Sequence, residues 1–582
     1  MLVLQLAVVD RSERANKEVL VFWKIQLWAV SSGQRAGAVG ALEPRGSRGR
    51  ALALARSGWA GWAAALAEKH RQEQTNVHFP VEKERIMAVQ RIRRRLRSCS
   101  LLLASFFFIF FSIYIYCKPS SNRFYNAHYT DSPVDPFRGR QIAFWNSFRE
   151  VLDQHAPSCP PPELRGKAEP VPFNALDPTD RPDLLVVPDD HLEAMRDAHS
   201  SFVAEIRRSN TLKPIHTPGS RGLVSMAGGA YFPLFLAQLR MLRRKKSTLP
   251  VEVFLRDTSE YEKHLCEKVL PQYNAKCVVL SELLGSTKHK GVEIEHYQFR
   301  TFAVLFSSFE EVVWMDAECF PLHSVQDLFD LDPYNSTGLV TWPDFSASTI
   351  SPLFYHITQQ DVPPTTGRAA TKTGVLMISK QSHFLTLLLA AYYNYHGPSH
   401  YFALLLQGAP GAGDKEAFIE AATALGEPVY AVSERVGALG HVVEGGETEY
   451  SAVAQSDPVE DYRLTSEGIW RVKDPAAGKA PRVFFIHGNY PKFAASDNVY
   501  GHKWDDPGVD SGRVWTHEPD VIKRFGYDVE KAYWSELQWV ACNYERSVQA
   551  WAEKSGVCNN LQEYLNGVFA DAHPDDLQFS DQ

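Results

Sequence analysis

The chain has no CxxC pair and no histidines interleaved with its eight cysteines, Cys99, Cys117, Cys159, Cys266, Cys277, Cys319, Cys542 and Cys558. That spacing argues against a structural zinc module. Basic charge is not in excess either: 61 Lys and Arg stand against 68 Asp and Glu, a formal net charge of -7 with a pI near 6.3. No overall positive field exists to attract a polyanion, so nucleic acid is not an expected partner. What is plentiful is core material. Across 582 residues, 45% are hydrophobic and 12% aromatic, enough for a large packed interior and for two or more domains.

Charge is absent altogether from Ser98 to Cys117, a run dense in Leu, Phe and Ile. As a helix it is long enough to cross a hydrocarbon core of roughly 30 Å, so it is read as one transmembrane helix. Arg91, Arg93, Arg94, Arg95 and Arg97 precede it and only Lys118 follows closely. The positive-inside bias then leaves residues 87–97 as a cytosolic basic tail and puts everything after Lys118 in a lumen. A cleaved signal peptide or a buried core helix would be the alternative, but no small-residue cleavage site is evident. Residues 1–86 mix apolar stretches such as Val19 to Val30 with Gly/Arg/Ala-rich sequence of no sustained period. They read as a doubtful or disordered extension, with Met87 the expected native start.

Residues 118–214 are rich in Pro, Asp and Ser, with helical stretches at Phe137 to His155 and Asp190 to Arg208, and read as a stem and helical packing region. From 215 to 526 the texture changes. Strands are expected at Gly222 to Met226, Val251 to Leu255, Lys276 to Leu280, Val312 to Met315, Gly374 to Ile378 and Val483 to Ile486. Helices are expected at Tyr231 to Arg244, Tyr261 to Val269, Tyr297 to Phe306, Gln381 to Tyr395 and Asp414 to Leu425. Alternation of this kind implies an α/β domain with a mixed, mostly parallel sheet. Residues 527–582 read as a C-terminal helical segment. In an oxidising lumen Cys266 with Cys277, or Cys542 with Cys558, could form disulfides, and Asn335-Ser336-Thr337 is an N-glycosylation acceptor.

Ligands of open α/β sheets collect beyond the carboxyl ends of the strands, where Asp316 and Glu318 would emerge from Val312 to Met315. Acidic pairs one residue apart are common on surfaces; the apolar strand before this one and Phe320-Pro321 after it single it out. Two such carboxylates suit a hard divalent cation, Mn²⁺ or Mg²⁺, that neutralises the diphosphate of a sugar nucleotide. His487, at the end of another apolar strand, is a third candidate ligand, although such histidines are more often satisfied in loops. The following glycine lets backbone approach a phosphate, and Lys492 could supply charge to the leaving group. Gly228 and Gly229 form a turn that could approach the nucleotide or serve only to join strand and helix. Arg300 is either a phosphate contact or a solvated helix-face charge.

Val224-Ser225-Met226-Ala227-Gly228-Gly229-Ala230-Tyr231, Leu249-Pro250-Val251-Glu252-Val253-Phe254, the run Phe302 to Asp316, Trp342-Pro343-Asp344-Phe345, Ala391-Tyr392-Tyr393-Asn394 and Gly413-Asp414-Lys415-Glu416 with Phe418 together resemble the fungal α-mannosyltransferases that build mannan side chains, glycosyltransferase family 71. The likeness runs from about Gly222 to Lys492. It implies a GT-A-like nucleotide-sugar-binding fold, GDP-mannose as donor, Mn²⁺ as cofactor, and a type II Golgi membrane topology. It also implies retaining transfer to a mannosylated glycan acceptor, with an α-1,2 linkage expected. By that resemblance Asp316 is the first acid of an Asp-x-Asp pair, Asp414 the catalytic carboxylate that positions the acceptor, and His487 with Lys492 the late His-Gly-Asn-Tyr-Pro-Lys. Asp344 could line the acceptor side or belong to a structural loop, and Lys372 stands at what looks like an acceptor or donor-sugar wall.

Three departures qualify the likeness. Glu318 replaces an Asp, Lys372-Thr373-Gly374-Val375 stands where Glu-Ser-Gly-Gln is expected, and Gly411-Ala412-Gly413 replaces Gly-Glu-Gly. An extra methylene moves the Glu318 carboxylate by about 1.5 Å, and Lys372 reverses a charge. They leave room for two other readings: use of another nucleotide sugar, such as UDP-galactose or UDP-N-acetylglucosamine, and an inactive paralogue acting as a scaffold beside other mannosyltransferase subunits.

Overall fold

The computed structural model describes residues 135–569 of the chain, apart from 286–287, 290–291, 296, 412, 443–446, 489–512 and 516–523. The expected membrane span at 98–117, everything before it and Lys492 lie outside the described residues. Among the described residues no helix is long and apolar enough to cross a membrane. Chain contacts separate residues 1–129 from a second unit, 130–582, to which all the described residues belong.

The principal elements are α1 (Pro136–Gln154), α2 (Asp189–Arg208), β1 (Thr217–Met226), α3 (Phe232–Arg244), β2 (Val251–Leu255), β3 (Ala275–Val279), α4 (Gln298–Phe306), β4 (Phe309–Met315), β5 (Cys319–Pro321), β6 (Leu339–Ala347), β7 (Ala369–Ser379), α5 (Phe384–Tyr395), α6 (Ala417–Leu425), β8 (Tyr430–Ala431), β9 (Gly437–Val442), β10 (Thr448–Ser456), β11 (Val483–Gly488), α7 (Val529–Tyr544) and α8 (Val557–Val568). Seven strands form the main sheet in the order β8-β6-β7-β4-β1-β2-β3. All pairings are parallel except those of β7 with β6 and with β4, which are antiparallel. The sheet is therefore mixed and mostly parallel, as the alternation of elements implies. A second, antiparallel sheet runs β9-β10-β11-β5.

Central strands buried on both faces need apolar residues at successive positions, and Val312-Val313-Trp314-Met315 supplies them. Val313 and Met315 face the core that also holds α3, α7 and α8. Val312 and Trp314 face a second core with α1, α2, α4 and α5. In that second core α1 buries Phe144, Trp145, Phe148 and Leu152, and Phe202 of α2 stacks on Tyr392 of α5 with ring centroids 4.2 Å apart. Such a stack adds about 0.5–1.5 kcal/mol beyond the area it buries. The two helices of the 118–214 segment thus form part of one wall of the sheet's core.

Several boundaries move. The helix expected from Tyr261 is a π-type turn at Leu265–Val269, since Pro271 follows at once and the Cys266–Cys277 bridge returns the chain to β3. Asp414 stands before α6, not in it. Cys542 and Cys558 are also bridged, joining α7 to α8.

Candidate functional site

The chain leaves β4 at Met315 and turns at once into β5, so Asp316 and Glu318 sit where the two sheets meet. Backbone bonds fix that turn from three sides. The Asp316 N–H donates to the Gly374 carbonyl of β7 (2.9 Å), the Cys319 N–H to the Asp316 carbonyl (2.9 Å), and the Gly488 N–H of β11 to the Glu318 carbonyl (3.1 Å). Gln238 of α3, wholly buried, donates from Nε2 to the carbonyls of Asp316 (2.5 Å) and Cys319 (2.6 Å). No signal in the sequence marked Gln238; a lone amide among nine apolar helix residues is the trace it left.

His487 arrives from the second sheet. Its register places it opposite Cys319, which brings Nε2 to 3.7 Å from Asp316 Oδ2 and 3.9 Å from Glu318 Oε1. Its other nitrogen, Nδ1, is buried without a hydrogen-bond partner. It packs on Gly374, where a side chain would leave no room for the ring.

Arg300 is the fourth member. Its guanidinium is buried on α4, so the solvated-charge reading is excluded. Nη2 reaches Asp316 Oδ1 and Oδ2 (3.2 and 3.3 Å), and Nη1 donates to Asp414 Oδ2 (2.8 Å) and to the Thr373 hydroxyl. Burial alone would depress the guanidinium; Asp316 and Asp414 outweigh it and keep it charged. Trp314 donates from Nε1 to Asp316 Oδ1 (2.9 Å).

Asp414 stands behind Arg300. It is fully buried, with Oδ1 unpartnered, and its Oδ2 accepts from Arg300 Nη1. In that position the carboxylate orients the guanidinium. Burial pushes its carboxyl up to about 6 despite Arg300, and Asp316 adds to the rise.

The pair opens into a cavity of about 850 Å³ lined by Gly228, Tyr231, Arg256, Glu260, Arg300 and Asp316, among others. Gly228 ends the turn after β1, and a Cβ there would lie 2.4 Å from the Glu260 carboxyl carbon. Gly229 has φ +53°, the left-handed region that glycine adopts without strain. Sequence reasoning brought these glycines, Arg300 and the acidic pair together; it missed Arg256 and Glu260, which follow β2 at the same carboxyl edge. Lys372 lies further along β7, opposite Trp342, close enough for its charge to pull down the Cys319 thiol that burial raises. Asp344 is elsewhere: it pairs with Lys415 (3.7 Å) and lines a different cavity. Asn335 is exposed on a short helix, Tyr334–Thr337.

The donor set of two carboxylates and an imidazole suits a divalent cation of the Mn²⁺ or Mg²⁺ type. Atoms bound about 2.1 Å from one ion lie roughly 3 Å apart when adjacent and 4 Å when opposite, which brackets the 3.7 and 3.9 Å found here. Among the described residues no group of three or more His, Cys, Asp or Glu side chains is close enough as placed to hold a metal ion. Asp316 is turned toward Arg300 and Trp314.

Comparison with known proteins is consistent with this layout. The mannosyltransferase family Mannosyl_trans3 matches residues 220–371 and 360–458. The α-1,2-mannosyltransferase MNN21 of Candida albicans is 31% identical over 444 residues, 66% of each chain. The chain belongs to this mannosyltransferase family. MNN2 of Saccharomyces cerevisiae, another α-1,2-mannosyltransferase, is 30% identical over 373 residues, 53% of this chain and 62% of that one. The chain spans between 62% and 66% of the length of these two relatives. Among solved structures, the glycosyltransferase GlyE of Streptococcus pneumoniae superposes with a TM-score of 0.27 at 13% identity, over 60% of this chain and 63% of that one. That score is too low to establish a shared fold. The family match covers β1 to α6 and the start of the second sheet, and so includes the acidic pair, Arg300 and Asp414 but not His487.

Proposed function

We propose that the protein is a retaining α-mannosyltransferase that moves mannose from GDP-mannose to a mannose residue of a glycoprotein glycan or mannan, with an α-1,2 bond as the product. The observation that carries this reading is the approach of His487 Nε2 to both Asp316 and Glu318 at the mouth of the 850 Å³ cavity. Family membership supports the sugar and the linkage.

Asp316, Glu318 and His487 would hold Mn²⁺ or Mg²⁺. A cation there supplies positive charge to the diphosphate as it departs. Arg300 holds the Asp316 carboxylate in place and presents a fixed, desolvated positive charge to the cavity wall, the kind of preorganised dipole that stabilises a leaving group. Asp414 keeps Arg300 aimed. Gly228 lets the donor approach backbone, and Lys492 is retained as a further cation for the phosphates. In this reading the catalytic domain is GT-A-like and lumenal, on a type II Golgi anchor at 98–117; both disulfides suit an oxidising compartment.

The test is GDP-mannose turnover by Asp316→Asn and Glu318→Gln with Mn²⁺ present. A loss of about 100-fold or more at unchanged melting temperature is expected; wild-type turnover in either variant would remove the mechanism. Donor-dependent stabilisation across GDP- and UDP-sugars separates the alternative donors, and no stabilisation by any of them would favour the scaffold reading.

A further inference from the structure

A second cavity, of about 1110 Å³, opens on the same edge of the main sheet. Strand β7 connects it to the acidic pair. Along β7, Val375 lies opposite Met315, the Gly374 carbonyl takes the Asp316 N–H, Lys372 lies opposite Trp342, and Thr371 opposite Pro343. Thr371, Trp342, Pro343 and Asp344 line the cavity. The three steps from Gly374 to Thr371 span roughly 10 Å at the rise of an extended strand, about the length of two sugar rings.

Two large aromatic side chains stand open in its wall: Phe345 is 44% exposed and Trp470 46%. Neither is loose. The Phe345 carbonyl accepts from the Phe173 N–H (2.9 Å), and the Trp470 carbonyl accepts from the N–H groups of Lys473 (3.0 Å) and Asp474 (3.1 Å). Rings lining one cavity together with polar groups offer apolar faces against which a ligand can pack. Polar groups, among them Asp344, Asp361, Ser433 and Lys473, flank them.

The arginines of the cavity are already committed, and the Lys473 ammonium stands over the Trp470 ring, 5.8 Å from its centroid. Arg368 pairs with Glu416 and Glu420, Arg181 donates to Ser348 Oγ and to the carbonyls of Ile350 and Pro363, and Arg435 donates to the Val472 carbonyl (3.0 Å). An anionic ligand would find little free positive charge. A neutral hexose chain fits better, because each ring has an apolar C–H face for an aromatic and hydroxyls around its edge for polar neighbours.

We propose that this cavity binds the distal residues of a neutral mannooligosaccharide acceptor, stacked on Trp470 and Phe345, while the reacting end lies along β7 near Lys372. The proposal rests on the mannosyl-transfer reading for the name of the sugar, and its test separates the two.

The experiment measures binding of linear mannotetraose to the full chain by calorimetry, for the wild type, Trp470→Ala and Phe345→Ala, with circular dichroism as the folding control. It then compares KM for mannotetraose and for methyl α-mannoside. Each variant is expected to weaken tetraose binding and raise its KM by about tenfold or more, leaving kcat and the KM values for GDP-mannose and methyl α-mannoside unchanged. Absence of tetraose binding to the wild type, or equal binding by folded variants, overturns the site. Equal loss for the short and long acceptors also overturns it. Trp470-dependent binding without any mannosyl transfer would uphold the cavity and sink the transferase reading instead.

Discussion

The imidazole of His487 occupies the space that a side chain at residue 374 would need: a Cβ on Gly374 would lie 2.2 Å from Nδ1 and 2.5 Å from Cε1. Gly374 belongs to the main sheet and His487 to the second, so this contact sets how the histidine of one sheet addresses the acids of the other. The chain needs glycine here for a close approach.

Gly374→Ala is therefore expected to displace His487 and lower apparent Mn²⁺ affinity by about 10–100-fold, the usual scale for disturbing the support of a metal ligand. Titration of Mn²⁺ against donor binding measures it. An alanine variant with wild-type Mn²⁺ dependence would show that His487 is no ligand.

Arg300 links the buried Asp414 to Asp316 by hydrogen bonds to both carboxylates. Arg300→Met strands the Asp414 carboxylate and should cost about 3–5 kcal/mol in urea unfolding. Adding Asp414→Leu removes the stranded charge and should recover a large part of that loss. A double variant no more stable than the single one would show that the pair is not coupled.

The Asp414 carboxyl, raised by burial to about 6 from 3.8, ionises above that pH and then holds Arg300. Its folded-state value lies above that of the unfolded chain, so the folded protein takes up the extra proton between about 6 and 4. This group's contribution to stability consequently grows as pH falls through that window. Activity should move the other way, with kcat/KM dropping as pH falls through about 6 and Arg300 loses its partner. Asp414→Asn should abolish both slopes, in urea midpoints and in the pH–rate profile.

Lys380 is wholly buried, and its ammonium donates to the carbonyls of Ile215 (2.6 Å), Leu305 (2.8 Å) and Ser307 (2.7 Å). Lys380→Met leaves three carbonyls unanswered, at about 1–3 kcal/mol each, so a loss of several kcal/mol is expected by urea unfolding. Burial lowers the lysine from 10.5 to about 7; the unfolded chain then binds more protons between those values, and this group's share of stability rises with pH there. Methionine should flatten that rise.

The sequence located β2, α3 and α4 to within a residue or two, because a buried strand or helix must be apolar and its ends must be marked. It also named the acids, His487 and the turn glycines, since each follows directly from an apolar strand. It assigned Asp414 to the acceptor because a motif gives residue type and order, not burial. The roles of Gln238 and Gly374 went unread for the same reason: one clamps a turn 78 residues away, and the other matters because a ring from another sheet lies on it.

Local pattern decided by itself that the chain would build an α/β sheet ending in an acidic pair, because periodicity and burial are written residue by residue. Which side chains meet at that edge was left to tertiary structure. The meeting of His487 with Asp316, the burial of Asp414 behind Arg300 and the cavity beyond Lys372 all depend on strands far apart in the chain aligning in register, and register is set by the packing of both cores together.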